Sequence, residues 1–323
     1  MEQQASRSSR STASRVVRSA ALLILALVVV PPLVSAVLPG DTRLLEGVEL
    51  NETTYTEVRF TNRDQGLELA GMLFEPEGES PFPAAVIIHG SGSSHRNNRW
   101  YLTMAEHLQK NGIAVLLPDK RGSGQSDGEW QTASFEDLAT DTGAAISYLR
   151  TQGEVPVSSV GVIGMSQGGR IAPIVASHDP EVAWVVNVVG GAVPAHESLR
   201  YEETYNLREM GFLPVVSDLL AYPSSWSLIH LRNADFWDEI GNFDPVPYWE
   251  SVEQPALVIY GEDDTNVPTE ASVERLETLG RSNFEVIVYE RSGHAIEDPE
   301  GQGNNIFRED ALGELTRFVH ANT

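Results

Sequence analysis

The sequence predicts an α/β fold with a mainly parallel central sheet covered by helices on both faces. Short apolar runs typical of buried strands alternate with longer segments of helical patterning, first over residues 84–189 and again from residue 256. Several of these runs are followed at once by polar residues that can do chemistry. Since open α/β sheets place their sites beyond the carboxyl ends of their strands, these polar residues are expected to meet at one edge.

The predicted elements begin with an antiparallel hairpin, in which strands 56–60 and 67–74 flank a turn at 62–66. Strands at 84–88, 113–117, 160–163 and 183–189 then alternate with helices at about 100–110, 134–150 and 170–177. Ser134 is the predicted N-cap of the second helix, because acidic residues follow it. Residues 190–254 contain no convincing strand. Strands at 256–260 and 284–289 and a helix at about 305–320 complete the chain.

The segment Gly164-Met165-Ser166-Gln167-Gly168-Gly169 lies between a predicted strand and a predicted helix. A G-x-S-x-G match in this context is typical of a nucleophile elbow, a sharp turn that exposes a serine hydroxyl. Side chains at positions 164 and 168 would collide with the neighbouring strand and helix, which favours glycine at both. The Ser166 hydroxyl would lie at a helix N-terminus, where backbone N–H groups stabilise developing negative charge.

A serine nucleophile needs a base, and the base needs an orienting carboxylate. The chain supplies both in the order Ser, Asp, His: Asp263 and Asp264 follow the strand at 256–260, and His294 follows the strand at 284–289. After the strand at 84–88, a turn rich in glycine and serine can offer the backbone N–H of Ser91 to an oxyanion. The N–H of Gln167, just after the serine, is the predicted second donor.

With these motifs in this order, residues 55 to 322 resemble the α/β-hydrolase superfamily. The H-G-S-G turn at residues 89–92 is similar to that of bacterial esterase and acyl-hydrolase-like members. It also resembles the turn in the hydrolase domain of prolyl-oligopeptidase-type peptidases. Residues 118–126 resemble the superfamily's D-x-R-G-x-G-x-S loop. The resemblance implies that Ser166 is the nucleophile, His294 the base and Asp264 the orienting acid. The G-x-x-D-x-x-V-P pattern selects Asp264 over Asp263, which is expected to be solvated.

The resemblance also implies that an insertion at about 192–250 forms a helical cap over the site. We expect most of its aromatic side chains to pack within the cap and a few to line an apolar pocket. Trp226 and Trp237 are the candidates we test below. In the loop at 118–126, we expect Asp119 and Arg121 to form a buried structural pair with each other. His89 is expected to brace the oxyanion turn.

Composition excludes several classes of function. The formal net charge of −24 argues against a nucleic-acid partner, since phosphate contacts need a basic surface. The chain has no cysteine, which excludes a disulfide, a thiolate nucleophile and a Cys-ligated metal. No dinucleotide-binding loop and no metal-ligand set stand out, so we expect neither a cofactor nor a metal. The expected partner is a small-molecule acyl substrate, and the oligomeric state stays open.

The N-terminus has the layout of a secretory signal peptide over residues 1–36. Arginines at positions 7, 10, 15 and 18 precede an apolar run that begins at Ala20, and the small residues Val34-Ser35-Ala36 suit cleavage. A linker at 37–54 would lead to the hydrolase domain at 55–323. The protein is then exported to the periplasm or the extracellular space. The competing interpretation is an uncleaved membrane anchor at residues 20–38, although Pro31 and Pro32 interrupt helix hydrogen bonding there.

The function predicted from the sequence is that of an exported serine hydrolase, which cleaves a carboxylic ester through an acyl-enzyme intermediate. The alternatives within enzymes are a serine peptidase or amidase and a thioesterase. The alternatives from other classes are a non-catalytic binding protein on the same scaffold and a membrane-tethered interaction domain. An intact Ser, Asp and His set argues against a silent scaffold.

Overall fold

Eight strands form one sheet at the centre of the computed structural model, which describes residues 18–19, 46–151, 153, 155–232, 234–298 and 306–323. The strands are β1 (Thr56–Asn62), β2 (Leu67–Phe74), β3 (Phe82–Ile88), β4 (Ala114–Pro118), β5 (Val157–Met165), β6 (Val185–Val188), β7 (Ala256–Gly261) and β8 (Phe284–Tyr289). Their order in the sheet is β1-β2-β4-β3-β5-β6-β7-β8. The β1–β2 hairpin is antiparallel, β2 pairs antiparallel with β4, and all other pairs are parallel.

Helices cover both faces of the sheet, as predicted. The helices outside the cap are α1 (Arg99–Lys110), α2 (Phe135–Thr151), α3 (Gln167–His178), α8 (Thr269–Thr278) and α9 (Glu309–Ala321). Apolar side chains of α1 and α9 build the core on one face, and those of α2, α3 and α8 contribute to the core on the other. The central strands β3 to β7 are almost completely buried, which explains their continuous apolar runs.

The predicted elements agree with the structure except at their ends. Ser134 caps α2, because its hydroxyl accepts the Asp137 N–H while the Asp137 carboxylate accepts the Ser134 N–H. The last helix begins at Glu309, later than predicted, because Arg308 has an extended backbone. Four of the eight strands, β1, β3, β5 and β7, are longer than predicted, since backbone pairing continues into flanking residues, whereas β6 is shorter.

The interruption between β6 and β7 is helical, as predicted. It contains α4 (Ala195–Glu209), α5 (Pro214–Ser227), a π-helical segment (Leu228–Arg232), α6 (Ala234–Ile240) and α7 (Val246–Trp249). We refer to residues 195–249 as the cap. Several large apolar side chains on α5 and beside its two ends are exposed, namely Leu213, Val215, Leu219, Tyr222, Trp226 and Leu231.

The predicted signal peptide and the first part of the linker lie outside the described residues, apart from Arg18 and Ser19. Across the residues that the structure describes, no helix has both the length and the apolar character to cross a membrane.

Candidate active site

Ser166 lies at the turn between β5 and α3. Its backbone has φ of 54° and ψ of −116°, a conformation that residues other than glycine rarely adopt. The two glycines of the motif are required by space. A Cβ atom on Gly164 would come within 2.2 Å of the Gly168 carbonyl oxygen, and one on Gly168 within 2.1 Å of the Ile88 carbonyl oxygen. The sequence therefore specifies a tight strand–turn–helix unit that points the serine out of the sheet edge.

The structure brings Ser166, His294 and Asp264 together in one hydrogen-bonded chain. His294 Nε2 lies 3.0 Å from Ser166 Oγ, and His294 Nδ1 lies 2.8 Å from Asp264 Oδ2. The three residues follow three different strands, β5, β8 and β7, whose carboxyl ends share one edge of the sheet. Such a chain allows the imidazole to accept the hydroxyl proton while the carboxylate holds the other ring nitrogen.

Asp264 is held by contacts that explain the G-x-x-D-x-x-V-P pattern. Its Oδ1 accepts the backbone N–H groups of Asn266, at 2.8 Å, and Val267, at 3.0 Å, so the carboxylate is fixed by its own turn. Its side chain is buried, whereas Asp263 is exposed, as predicted. From the cap, the Tyr201 hydroxyl donates to the Asp264 backbone carbonyl at 3.0 Å. The β7 turn therefore fixes the orientation of the carboxylate, and the cap contacts the backbone of the same residue.

The predicted oxyanion donors, Ser91 and Gln167, both border the serine. The preceding residue, Gly90, lies so close that a Cβ atom there would be 3.3 Å from Ser166 Cβ. Gln167 is the first residue of α3. Among the described residues, neither the Ser91 N–H nor the Gln167 N–H has a hydrogen-bond acceptor. Both groups are therefore available to a ligand oxygen, and their role in catalysis stays a prediction.

A cavity of about 340 Å³ opens at the serine, between the sheet edge and the cap. Apolar and aromatic side chains form much of its wall: Trp100, Phe135, Leu199, Phe236, Trp237, Ile240 and Val267. Of the two tryptophans singled out from the sequence, Trp237 lines the cavity, whereas Trp226 does not and is 56% exposed. The site therefore combines a nucleophile arrangement with a chamber in which apolar and aromatic side chains lie beside polar ones such as Arg170 and Glu202.

Comparisons with known proteins agree with this geometry. A family model described as the C-terminal domain of BAAT and acyl-CoA thioester hydrolases matches residues 143–301, and a model of X-Pro dipeptidyl-peptidases of the S15 family matches residues 65–215. The structure of an esterase from Pyrococcus furiosus superimposes with a TM-score of 0.63 at 21% identity, covering 85% of this chain and 95% of that one. The chain belongs to the α/β-hydrolase superfamily.

Curated relatives of this α/β-hydrolase include both thioesterases and esterases. The chain is 24% identical over 240 residues to a peroxisomal succinyl-coenzyme A thioesterase from Mus musculus, which covers 70% of this chain and 52% of that protein. It is 25% identical over 253 residues to the esterase EstD from Thermotoga maritima, which covers 74% of this chain and 60% of that protein. The chain thus spans only about half to three-fifths of the length of these relatives.

One prediction for the loop after β4 is wrong. Asp119 and Arg121 are both buried, but they do not pair with each other. Asp119 pairs with Arg96 at 2.9 Å, and Arg121 pairs with Asp141 at 2.6 Å. Arg96 lies in the segment between β3 and α1, whereas Asp141 lies on α2. Asp119 and Arg121 therefore extend from the loop after β4 in different directions. The loop thereby connects two neighbouring elements instead of closing on itself.

His89 braces the oxyanion turn, as predicted. Its Nε2 lies 2.5 Å from the Pro118 carbonyl oxygen, and its ring packs edge-on against Tyr101. Burial lowers the pKa of His89 to about 4, so the ring is neutral and serves as a structural contact. The Tyr101 hydroxyl in turn accepts the Gly90 N–H at 2.8 Å.

Three ionisable residues of the site were missed by the sequence analysis. Arg170 and Glu202 line the cavity, and Lys120 lies directly behind the oxyanion turn. Burial lowers the pKa of Arg170 to about 10, and burial followed by the neighbouring Glu203 raises the pKa of Glu202. Neither Arg170 nor Lys120 forms an ion pair among the described residues, although both are buried. Their positions in the motifs S-x-G-G-R and D-K-R-G were visible, but no local pattern indicated where their side chains point.

Within the described part of the chain, no group of three or more His, Asp or Glu side chains is arranged to hold a metal ion.

Proposed function

We propose that the protein is an exported serine hydrolase that cleaves carboxylic esters through a covalent acyl-enzyme. The observation that carries this proposal is the continuous hydrogen-bonded chain from Ser166 through His294 to Asp264 at a cavity with a partly apolar, aromatic wall. Hydrolases of esters and thioesters among the relatives support the same general reaction class. Export rests on the N-terminal sequence pattern alone.

In the proposed reaction, Ser166 Oγ attacks the ester carbonyl carbon while His294 Nε2 accepts the hydroxyl proton. The carbonyl oxygen becomes an oxyanion, which the N–H groups of Ser91 and Gln167 stabilise. Collapse of this tetrahedral intermediate breaks the ester C–O bond, and the alcohol leaves with the proton from His294. Water then attacks the acyl-enzyme by the same route, so a carboxylic acid is released and the serine hydroxyl is restored.

A thioester is the second candidate substrate. The model for acyl-CoA thioester hydrolases spans residues 143–301, which include Ser166, Asp264 and His294. A coenzyme A group carries phosphates, however, and the chain has a net charge of −24. Arg170 is the single arginine or lysine among the described lining residues. These charges favour an ester, or a thioester of a small uncharged thiol, over acyl-CoA.

Direct comparison of matched substrates tests the proposal. We expect hydrolysis of activated short- and medium-chain acyl esters, slower cleavage of the corresponding acyl-CoA thioesters, and little cleavage of aminoacyl anilides. A fluorophosphonate probe should label the wild type, and Ser166→Ala should lose both labelling and turnover while it stays folded, with a loss in kcat of about 10⁶-fold. A higher kcat/KM for acyl-CoA than for esters would favour the thioesterase instead. A Ser166→Ala variant that keeps its activity would refute the nucleophile assignment.

A further inference from the structure

A single buried ammonium group contacts both halves of the predicted oxyanion site. Lys120 Nζ donates to the Gly90 carbonyl oxygen at 2.9 Å and to Gln167 Oε1 at 2.7 Å. The Gly90 carbonyl belongs to the same peptide group as the Ser91 N–H, which is the first predicted oxyanion donor. The second predicted donor is the backbone N–H of Gln167. One side chain therefore holds both residues that present these donors.

We propose that Lys120 is a positioning residue that orients the Gly90–Ser91 peptide and Gln167 and, through its positive charge, strengthens their N–H groups as oxyanion donors. The inference rests on the proposed hydrolytic function. An ammonium bound to a carbonyl oxygen draws electron density toward that oxygen, so the N–H on the far side of the same peptide group becomes a better donor. Hydrogen bonds in such a chain strengthen one another by roughly 10–30%.

The surroundings of Lys120 argue against a purely structural role. The side chain is 7% exposed and pairs with no carboxylate among the described residues, and the face of Trp130 lies 5.3 Å from its Nζ. Burying an ammonium without a counter-charge costs free energy, and an apolar side chain could fill the same space without that cost. The oxyanion, which appears only during the reaction, would supply the missing negative charge and offset this cost.

The positive charge of Lys120 can also be lost near neutral pH. Burial lowers the pKa of Lys120 to about 7. The other ionisable groups near Lys120 do not supply it with a free negative charge. His89 is neutral at this pH, the Tyr101 phenol has its pKa raised to about 12 by burial, and Asp119 and Arg121 each have their own partner. On the other side of the oxyanion site is His294, whose carboxylate partner is Asp264.

This titration predicts a specific pH profile. The general base must be neutral to accept a proton, which produces an acid limb. Because the neutral amine of Lys120 polarises the peptide less than the ammonium does, we expect kcat to fall again above about pH 7 in the wild type. Lys120→Met should lack this alkaline limb, and Lys120→Arg should move it to higher pH, since a guanidinium keeps its charge.

The main test compares Lys120→Met with Lys110→Met. These are the only two lysines of the chain, and Lys110 is exposed on α1, where it pairs with Glu106. Removing a whole oxyanion donor costs about 10²- to 10³-fold in kcat, so removing the group behind it should cost about 10- to 100-fold at pH 6.5. KM should change little, and fluorophosphonate labelling of Ser166 should slow by a similar factor. Lys110→Met should match the wild type, and the melting temperature of Lys120→Met should not fall.

Nuclear magnetic resonance of lysine labelled at Cε adds a readout in the unmodified protein. Two lysine signals are expected, and Lys110→Met assigns them. The pH at which the Lys120 signal titrates should coincide with the alkaline limb of kcat. A Lys120→Met enzyme within twofold of wild-type kcat, an unchanged alkaline limb in that variant, or a limb that does not coincide with the Lys120 titration would each overturn the proposal. A Ser166→Ala variant that stays active would instead refute the proposed function.

Discussion

Replacing Asp264 with asparagine should reverse the direction of the hydrogen bond to His294, and the surrounding contacts dictate this outcome. Asp264 Oδ1 accepts two backbone N–H groups, from Asn266 and Val267. An asparagine must keep its carbonyl oxygen at that position, since an NH₂ group there would face two donors. Its NH₂ group is then placed 2.8 Å from His294 Nδ1, where the carboxylate was. The ring nitrogen at Nδ1 must become an acceptor, and the proton moves to Nε2.

A proton on His294 Nε2 points at Ser166 Oγ, 3.0 Å away, and the imidazole can no longer accept the hydroxyl proton. In a serine protease with the same chain of contacts, this change lowers kcat by about 10⁴-fold, which corresponds to about 5 kcal/mol of transition-state stabilisation. We expect a loss of that order for Asp264→Asn in steady-state ester hydrolysis.

Asp263→Asn is the matched control, because the same chemical change is made one residue away on an exposed side chain. Its kcat should stay within about twofold of the wild type. Circular dichroism and thermal melting should show that both variants are folded. An Asp264→Asn enzyme that retains more than a tenth of wild-type kcat, or equal losses in the two variants, would refute the reasoning about this carboxylate.

Three further predictions concern the cap, the elbow and the N-terminus. Trp237→Ala should move the preferred acyl chain length, since each buried methylene contributes about 0.8 kcal/mol, or roughly fourfold in kcat/KM. Trp226→Ala should leave the chain-length profile unchanged, because Trp226 is exposed. Equal profiles in the wild type and both variants would contradict this. Gly168→Ala should destabilise the fold by about 2 kcal/mol or more in denaturant unfolding, because its Cβ would meet a backbone oxygen, whereas Gly143→Ala in α2 meets no atom within 4 Å and should be neutral or stabilising. N-terminal sequencing of the protein from its native host should find a start near Val37, and a start at residue 1 or 2 in the membrane fraction would support the anchor.

The fold and the arrangement of the site were predictable because parallel strands place their carboxyl ends at one edge. Once β5, β7 and β8 are assigned, the residues that follow them must be neighbours, and Ser166, Asp264 and His294 are such residues. Backbone constraints are local in the same way. The positive φ at Ser166 and the contacts of Gly164 and Gly168 follow from a turn of a few residues, which the sequence motif encodes directly.

Side-chain partners across the fold were not predictable in this way. Asp119 and Arg121 are two positions apart, which suggested a mutual pair, but each reaches a partner more than ten residues away along the chain. The same holds for the cap, where sequence patterning showed an aromatic-rich segment but could not separate Trp237 in the cavity from Trp226 at the surface. Both outcomes depend on how elements pack together, and no local pattern records that.

The buried charges of the loop after β4 have partners of opposite charge, except for the one beside the predicted oxyanion site. In the loop after β4, Asp119 and Arg121 are neutralised by Arg96 and Asp141, so their burial leaves no uncompensated charge. Lys120 lies between them in sequence and is equally buried, yet it binds only neutral oxygens. Selection for stability alone would remove such a group, because its burial destabilises the folded state fully below the folded pKa of about 7 and progressively less up to the unfolded value of about 10.4. Its retention beside a predicted oxyanion site is expected if stability is given up for stronger binding of a charge that exists only in the transition state.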